Sequence, residues 1–588
     1  SLLSFTATDS PSQTLIDNFD ASKKLQHWTF SNGADFPGAS GRLSLGPGHE
    51  RRGAILAYNF TCQDPAHCGS YVAAIWQSPR PLEASAGAAL SLWAQFPADV
   101  RLTIRITDQT GQTLQFRANA PNLEQMTSDE WRQIVVPITN KTAEHWGGVN
   151  NGQFQGSLAA VAILADSAYV HATRGQMAFD DVRLFTPTDS VFHLDQSASL
   201  ITAPQGAAEL RPRLGVNIHL LQDDRALDLA KEAGFSFVRA DLLWAKLEKQ
   251  GGYDFTPFDA LMHSLQVRGM GVLWVLAYGH PNYGGRSPQS AEDIAAYTRY
   301  VAATVSHFRG RNARFEIWNE PNNPQFLPNP SIYPSLLRAT LDAIHRQNPD
   351  AAVSTGGTSG IDLPFLAPLL QSGAVQKANA TAIHPYRDAG PETLAADLSL
   401  LRNLVQHAVT PAIPIWDTEW GYSSYGSNGE VAQTRQAVLT ARQILTVWAL
   451  GLPVAVLYDL RDDGGDPFSR EQNFGLLHQD NRDKPAMKAI RALTRMAQGR
   501  AYAGLFSAVP YGVHAIRLDG ENDIVFAVWN DAANVHPRIQ FAPNELLSIS
   551  NIFGEPLAVR DEIVLEETMG PVYLRFKPRS LLPLKAGN

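Results

Sequence analysis

The chain has 588 residues, 44% apolar and only 18% charged, the second figure well under the roughly 25% of an average soluble protein, so neither a disordered chain nor a polyelectrolyte is expected. Lysine and arginine number 48 against 57 acids, a net charge of −9, and the absence of a basic run excludes nucleic acid as the expected partner. No stretch approaches the roughly 18 apolar residues of a membrane span, and 271–278 has the length of a buried strand.

At roughly 150 residues per domain the length allows four domains, or three if one is a barrel. Up to about residue 190 the chain reads as short strands between turn clusters, the rhythm of an all-β sandwich. Between 100 and 107 Val100, Leu102, Ile104 and Ile106 alternate with polar partners, so one face of that strand is buried and the other wet. Further strands are drawn at 54–60, 89–95, 132–138, 159–164 and 178–185. Cys62 and Cys68 lie six positions apart in a loop containing Pro and Gly; a short disulfide and an oxidising compartment are expected, two free thiols being the alternative. The first residue is Ser, consistent with a removed leader or a trimmed chain, so a secreted or periplasmic protein is expected.

Residues 191–210, polar with Pro and Gly, read as a linker. From 211 to 499 eight apolar runs alternate with helical stretches: 214–219, 237–243, 272–277, 314–318, 352–355, 381–384, 414–417 and 454–458, with helices such as 225–233, 291–308, 333–347 and 433–449. Eight strand–helix repeats in this span are the count of a (β/α)₈ TIM barrel rather than of an open doubly wound sheet. Residues 500–588 return to strands, at 513–518, 524–529, 539–541 and 572–576, and form a small C-terminal β-sandwich domain.

A barrel of this kind carries its active site at the C-terminal ends of the strands. The fourth run closes as Trp318-Asn319-Glu320-Pro321-Asn322 and the seventh as Asp417-Thr418-Glu419-Trp420. Two carboxylates converging on an apolar mouth suit glycosidic bond cleavage, in which one acid must be protonated and the other ionised at the same pH. Burial and mutual repulsion separate their pKa values. Trp318, Trp416 and Trp420 are expected to supply apolar surface and to stack on a sugar. The strand pleat fades at the mouth, so alternation does not decide whether Glu316 or Glu320, Asp417 or Glu419, points inward.

These residues resemble the clan A retaining glycoside hydrolases, and within that clan family 39. The resemblance covers the barrel, about half the chain. It implies Glu320 as general acid/base, Glu419 as nucleophile and Asn319 as a donor to the sugar 2-hydroxyl. Arg239, after the second run, matches the clan's buried arginine; its alternative is a structural ion pair. His384 and Tyr386 close the sixth run, where the clan positions the nucleophile, and Tyr386 is preferred for that contact. His219 and His280 are expected near the sugar or the acid/base, a core histidine being the alternative for each. The clan's tryptophan on the eighth strand is replaced by Tyr458-Asp459, which leaves the sugar open.

The loop 461–475 reads as a solvated wall of the cleft, since Asp462, Asp463 and Asp466 lack the spacing of a calcium loop. No zinc, serine-hydrolase, P-loop or dinucleotide motif is present, and no cofactor or catalytic metal is expected. The N-terminal sandwich resembles a jelly-roll carbohydrate-binding module, which implies Asp20 or Asp181 as a structural calcium ligand and Trp28, Trp76, Trp93, Trp131 or Trp146 as a sugar platform, most of them being core. The expected partner is an oligo- or polysaccharide. Rival readings are a non-catalytic carbohydrate-binding protein on a degenerate barrel and a transglycosylase using the same acids.

Overall fold

The computed structural model describes residues 13–579 apart from 22–23, 37, 61–70, 85–86, 98–99, 119–122, 124–129, 139–143, 168–172, 202–208, 220–221, 507–508 and 559–560. Cys62 and Cys68 lie outside the described residues.

Two antiparallel sheets make the N-terminal sandwich. The first runs through Ala39–Pro47, Arg52–Phe60, Arg174–Phe185, Ala89–Gln95 and Arg132–Pro137, with Gln13–Asp17 also paired to Arg174–Phe185. The second runs from His145–Trp146 through Thr113–Arg117, Arg101–Asp108, Ser157–Asp166 and Tyr71–Glu83 to Trp28–Ser31. Their inner faces share one core, in which Trp28 and Trp76 are buried. Neither is a sugar platform. Trp93 stacks on His49 at 3.8 Å, and Trp146 stays exposed beneath Arg105. Asp20 faces Arg51, and Asp181 faces Arg183. Neither belongs to a converging ligand group among the described residues.

The barrel strands are all parallel, in the order first to eighth: Leu214–Asn217, Phe237–Leu243, Gly271–Ala277, Ala313–Ile317, Val353–Thr355 with Thr358–Ser359, Thr381–His384, Ile415–Trp420 and Ala455–Leu457. The fifth strand is split at Gly356-Gly357. Its first half pairs with strand four and its second with strand six, and Thr355 N donates to Ala380 O at 3.1 Å, which closes the ring. All seven residues of Gly271–Ala277 are buried, as a strand covered on both faces requires. Each strand is followed by a helix, and local chemistry starts them: Asp223 caps Asp224–Glu232, Ser290 and Asp293 form a capping box on Ala291–His307, and Asn428 caps Gly429–Ala449.

The C-terminal sandwich corrects the expected linker. Val191–His193 pairs with Arg538–Gln540, and Leu200–Ile201 with Arg500–Phe506, so the segment after the N-terminal sandwich contributes edge strands to the C-terminal one. Phe192 and Leu194 are buried in its core, and their burial outweighs the polar composition around them.

That sandwich covers the outer side of Gly429–Ala449, whose last fourteen residues are buried. A helix buried all round must satisfy its polar side chains internally. Arg442 does so by a two-pronged pair with Glu392, at 2.8 and 2.7 Å, and Trp529 Nε1 of the C-terminal sandwich donates to the same carboxylate at 2.7 Å. Burial alone would raise Glu392, but Arg442 holds it down at about 2. Removing one member of such a pair strands the other. Arg442→Met is expected to destabilise the protein by about 3–5 kcal/mol, measured as a lower urea midpoint; an unchanged midpoint would show that the pair does not hold the interface.

Candidate active site

The site is built on Arg239, at the middle of the second strand and 2% exposed. Its Nε donates to Glu316 Oε2 at 2.8 Å, Nη1 to Glu419 Oε2 at 2.6 Å and to Asn217 Oδ1 at 3.0 Å, and Nη2 to Asn319 Oδ1 at 2.8 Å. Asn217 faces Arg239 across strands one and two because their register pairs the two residues. Burial opposes the guanidinium charge, but the charges of Glu316 and Glu419 outweigh it and hold Arg239 firmly protonated. The same charge, with His384, draws buried Glu316 down to about 2 against its own desolvation. Arg239 is thus a structural ion pair with Glu316 and a clamp on Glu419 at once.

The inward acids are now assigned. Glu316 and Asp417 are completely buried below the mouth, whereas Glu320 and Glu419 sit above them. Burial pushes Asp417 well above the usual carboxylate range, against the pull of His384 and of the Glu419 backbone. Trp318 and Glu320 have φ of 74° and 45°, in the left-handed region that costs a non-glycine residue about 1–2 kcal/mol. This twist ends the pleat at strand four and turns Glu320 toward strand six, where His384 Nδ1 meets its Oε1 at 3.1 Å and Asn323 Nδ2 donates to its Oε2 at 3.1 Å.

A carboxylate oxygen of Glu320, one of Glu419 and a ring nitrogen of His384 all lie within 4.8 Å of one another. Carboxyl groups of retaining glycosidases stand about 5–5.5 Å apart, and inverting pairs about 6.5–9.5 Å. Tyr386 Oη donates to Glu419 Oε1 at 3.0 Å, the contact expected of it. His384 serves the other acid. Thr418 donates its one hydroxyl proton to Glu316 at 3.0 Å, so its oxygen accepts from His384 Nε2 at 3.2 Å and leaves Nδ1 for Glu320. Gly357 makes room for this ring, since a Cβ there would lie 2.2 Å from His384 Nε2.

Other expected residues divide. Asn319 gives its oxygen to Arg239 and so keeps its amide hydrogens as the donor end. His219 Nε2 lies 3.1 Å from Tyr458 Oη and 3.4 Å from Asp459 Oδ2 at the mouth. His280 does not join: it is buried in its own loop against Trp244 and Tyr283, with Asn282 N donating to its Nδ1. Trp318 and Trp420 are fully buried, against Tyr278 and Tyr297 and against Tyr422, and Trp416 lies in a separate cluster with Phe237. All three rings are buried, so none offers an exposed face to a sugar. The aromatic wall is instead Tyr386, Tyr458 and Phe474, whose ring centres stand 5.4–6.4 Å apart. The loop 461–475 is exposed or half-buried over most of its length, as expected, but it is anchored at two points: Phe474 is buried, and Asp462 is paired with buried Lys484 at 2.9 Å.

Sequence reasoning passed over Asn217, Thr418, Asn323, Phe474 and Asp241. Asp241 stands two residues beyond Arg239 and shares its face by alternation, a signal that was there to read. Burial pushes it up, while Arg239 and His219 pull it back. Burial likewise raises Asp459 to about 7, with His219 opposing and Asp463 assisting. The hydrogen bond and charge of Asp459 raise His219 to about 9 despite its desolvation.

The chain matches no model of a known protein family, and no curated protein matches it. Solved structures do. A family 39 glycoside hydrolase from the gut symbiont Bacteroides cellulosilyticus WH2 superposes with a TM-score of 0.55 at 19% identity, over 82% of this chain and 95% of that one. A family 39 β-xylosidase from Caulobacter crescentus gives 0.49 at 17% identity, over 66% and 100% of the two chains. A family 39 enzyme from Xanthomonas axonopodis pv. citri gives 0.49 at 18%, over 67% and 98%. The first likeness establishes a TIM barrel with flanking β domains.

Burial depresses His384, but the charge of Glu419, the nearby Glu316 carboxylate and the bond to Glu320 raise it to about 9 from 6.5. A raised histidine contributes stability fully below its unfolded pKa and loses it as pH climbs through the folded value. The melting temperature of the protein should fall between pH 6.5 and about 9, and that fall should flatten in His384→Asn; identical slopes would refute the charged state.

Proposed function

We propose that the protein is a retaining glycoside hydrolase of the clan A type, similar to family 39, that cleaves an oligo- or polysaccharide through Glu320 and Glu419. The observation that carries this reading is the approach of one oxygen of each carboxylate to within 4.8 Å beside His384, which supports the close spacing of a retaining pair over the about 6.5–9.5 Å of an inverting one.

In the first displacement a Glu419 oxygen attacks the anomeric carbon as the bond to the leaving oxygen breaks and Glu320 delivers a proton to that oxygen. In the second, Glu320 takes a proton from water, the water oxygen attacks the anomeric carbon and the bond to Glu419 breaks. Arg239 and Tyr386 hold Glu419 aimed by a hydrogen bond to each of its oxygens. Burial raises Glu320, but His384 and Asn323 hold it below the usual range, so the proton of the resting site resides on His384 Nδ1, 3.1 Å from Glu320 Oε1. A bound sugar removes the remaining water from Glu320, desolvation favours its neutral form, and the proton crosses that hydrogen bond. Formation of the glycosyl–Glu419 ester removes the charge that most strongly raises His384, which readies the pair for the second step. Both charge states come from side chains, so the reaction calls for no cofactor. A polysaccharide substrate and the expected disulfide fit a secreted or periplasmic enzyme.

Glu320→Ala should lower kcat/KM by about 10²–10⁴-fold on substrates with poor leaving groups. Glu419→Ala should abolish turnover, with azide restoring it as a glycosyl azide of inverted configuration. Proton NMR of the first product of the native enzyme should show retention; inversion, or full activity in Glu419→Ala, would overturn the reading. The non-catalytic rival predicts no turnover at all.

A further inference from the structure

A cavity of about 230 Å³ opens beside the proposed catalytic centre, over strands one and eight. Strand eight stands across the barrel from strand four, which carries Glu320. The leaving group must lie against Glu320, so a cavity on the far side faces the part of the sugar chain that stays attached to Glu419. His219 lines it and meets Tyr458 Oη at 3.1 Å, and Tyr386 links Tyr458 to Glu419.

The charges around this cavity are lopsided. Four carboxylates line it, Asp223, Asp459, Asp462 and Asp463, against two bases, His219 and Arg461. Arg461 is spent on Asp223 at 2.5 Å, and Asp462 on Lys484 at 2.9 Å. What remains is His219 shared between Asp459 at 3.4 Å and Asp463 at 3.8 Å. One imidazole N–H cannot satisfy both carboxylates and the Tyr458 hydroxyl. Asp459 is 1% exposed, and its Oδ1 has no hydrogen-bond partner, a state that a buried carboxylate adopts at a cost unless a donor arrives. Asp241, on the face of strand two that carries Arg239, adds a further acid whose charge is felt by His219.

We infer that this cavity is the subsite for the retained portion of the glycan, and that it takes a neutral or amino sugar and rejects a uronic acid. A hydroxyl or ammonium group donates to Asp459 and Asp463; a sugar carboxylate meets the same two acids and finds no unpaired cation among the described lining residues. The inference rests on the proposed hydrolase reading for the direction of the chain but names its own residues, Asp459 and Asp463, as the specificity determinants.

Binding without turnover tests it. Glucosamine, glucose and glucuronate are titrated calorimetrically into the full-length protein and into Asp459→Asn and Asp463→Asn. The second variant alters a side chain that is 41% exposed, so it keeps the test open if the first does not fold. Glucosamine should bind tightest and glucuronate weakest, and each substitution should shrink the difference, Asp463→Asn by about threefold, the worth of a partly exposed charge pair, and buried Asp459→Asn by more. Glucuronate binding as well as glucosamine, no sugar binding at all, or a preference that survives the substitutions would overturn the assignment. Because no turnover is read, absence of hydrolysis would sink the catalytic reading and the direction of the chain but leave the measured sugar preference standing, while a failed preference sinks this inference alone.

Discussion

A single buried guanidinium organises the barrel mouth. Arg239 enters from strand two and reaches strand one at Asn217, strand four at Glu316 and Asn319, and strand seven at Glu419. A buried charge of this kind is tolerable only when every donor has an acceptor, and here the acceptors come from three other strands. The requirement ties the barrel together and in the same stroke fixes the geometry of the proposed nucleophile and of the neighbouring asparagine. Stability and chemistry therefore share one residue, and the local cost of unusual backbone at Trp318 and Glu320 is sustained by the surrounding bonds.

The rest of the architecture serves this cluster. Gly356-Gly357 interrupts strand five, letting the His384 ring approach and Glu320 N donate to Gly357 O at 2.9 Å. The loop after strand eight returns over the mouth and lays Phe474 on Tyr386 and Tyr458. Behind strand seven, Gly429–Ala449 is clamped by the C-terminal sandwich through Arg442, Glu392 and Trp529. Gln436 and Gln443 of that helix hold the carbonyls of Tyr422 and Trp420, so the packing domain steadies the segment that follows Glu419. A site intended to hold two carboxylates to within a fraction of an ångström needs such support.

Much of this was legible in advance. Strand and helix rhythms marked the sandwich, barrel and C-terminal β domain, and several strands, such as Phe237–Leu243 and Thr381–His384, coincide with the apolar runs. The preference for Tyr386 over His384 as the partner of Glu419 holds in the structure. The tryptophans misled, because an aromatic residue at a strand end is read as lining the mouth when the reversed backbone at Trp318 sends its ring outward into the helical layer. His280 misled for a similar reason: loop residues have no alternation to say which way they face. The long Tyr71–Glu83 strand went unread beside the two cysteines, and the supposed linker hid two edge strands whose partners lie more than 300 residues away.

What the sequence determined by itself was the order of the elements and the types of side chain at each strand end, since hydrophobic periodicity and strand-end placement are local properties. Tertiary structure alone decided which acids look at each other, which arginine neutralises them and which aromatics form the wall. The bonds that set the two acids are made across the barrel between residues separated by 33 to 180 positions, and a carboxylate acquires its charge state from neighbours in space rather than in sequence. Glu316 and Glu320 have the same side chain on the same strand end, yet one is a buried counter-ion and the other stands at the mouth, because only the closed barrel puts Arg239 beside the first and His384 beside the second.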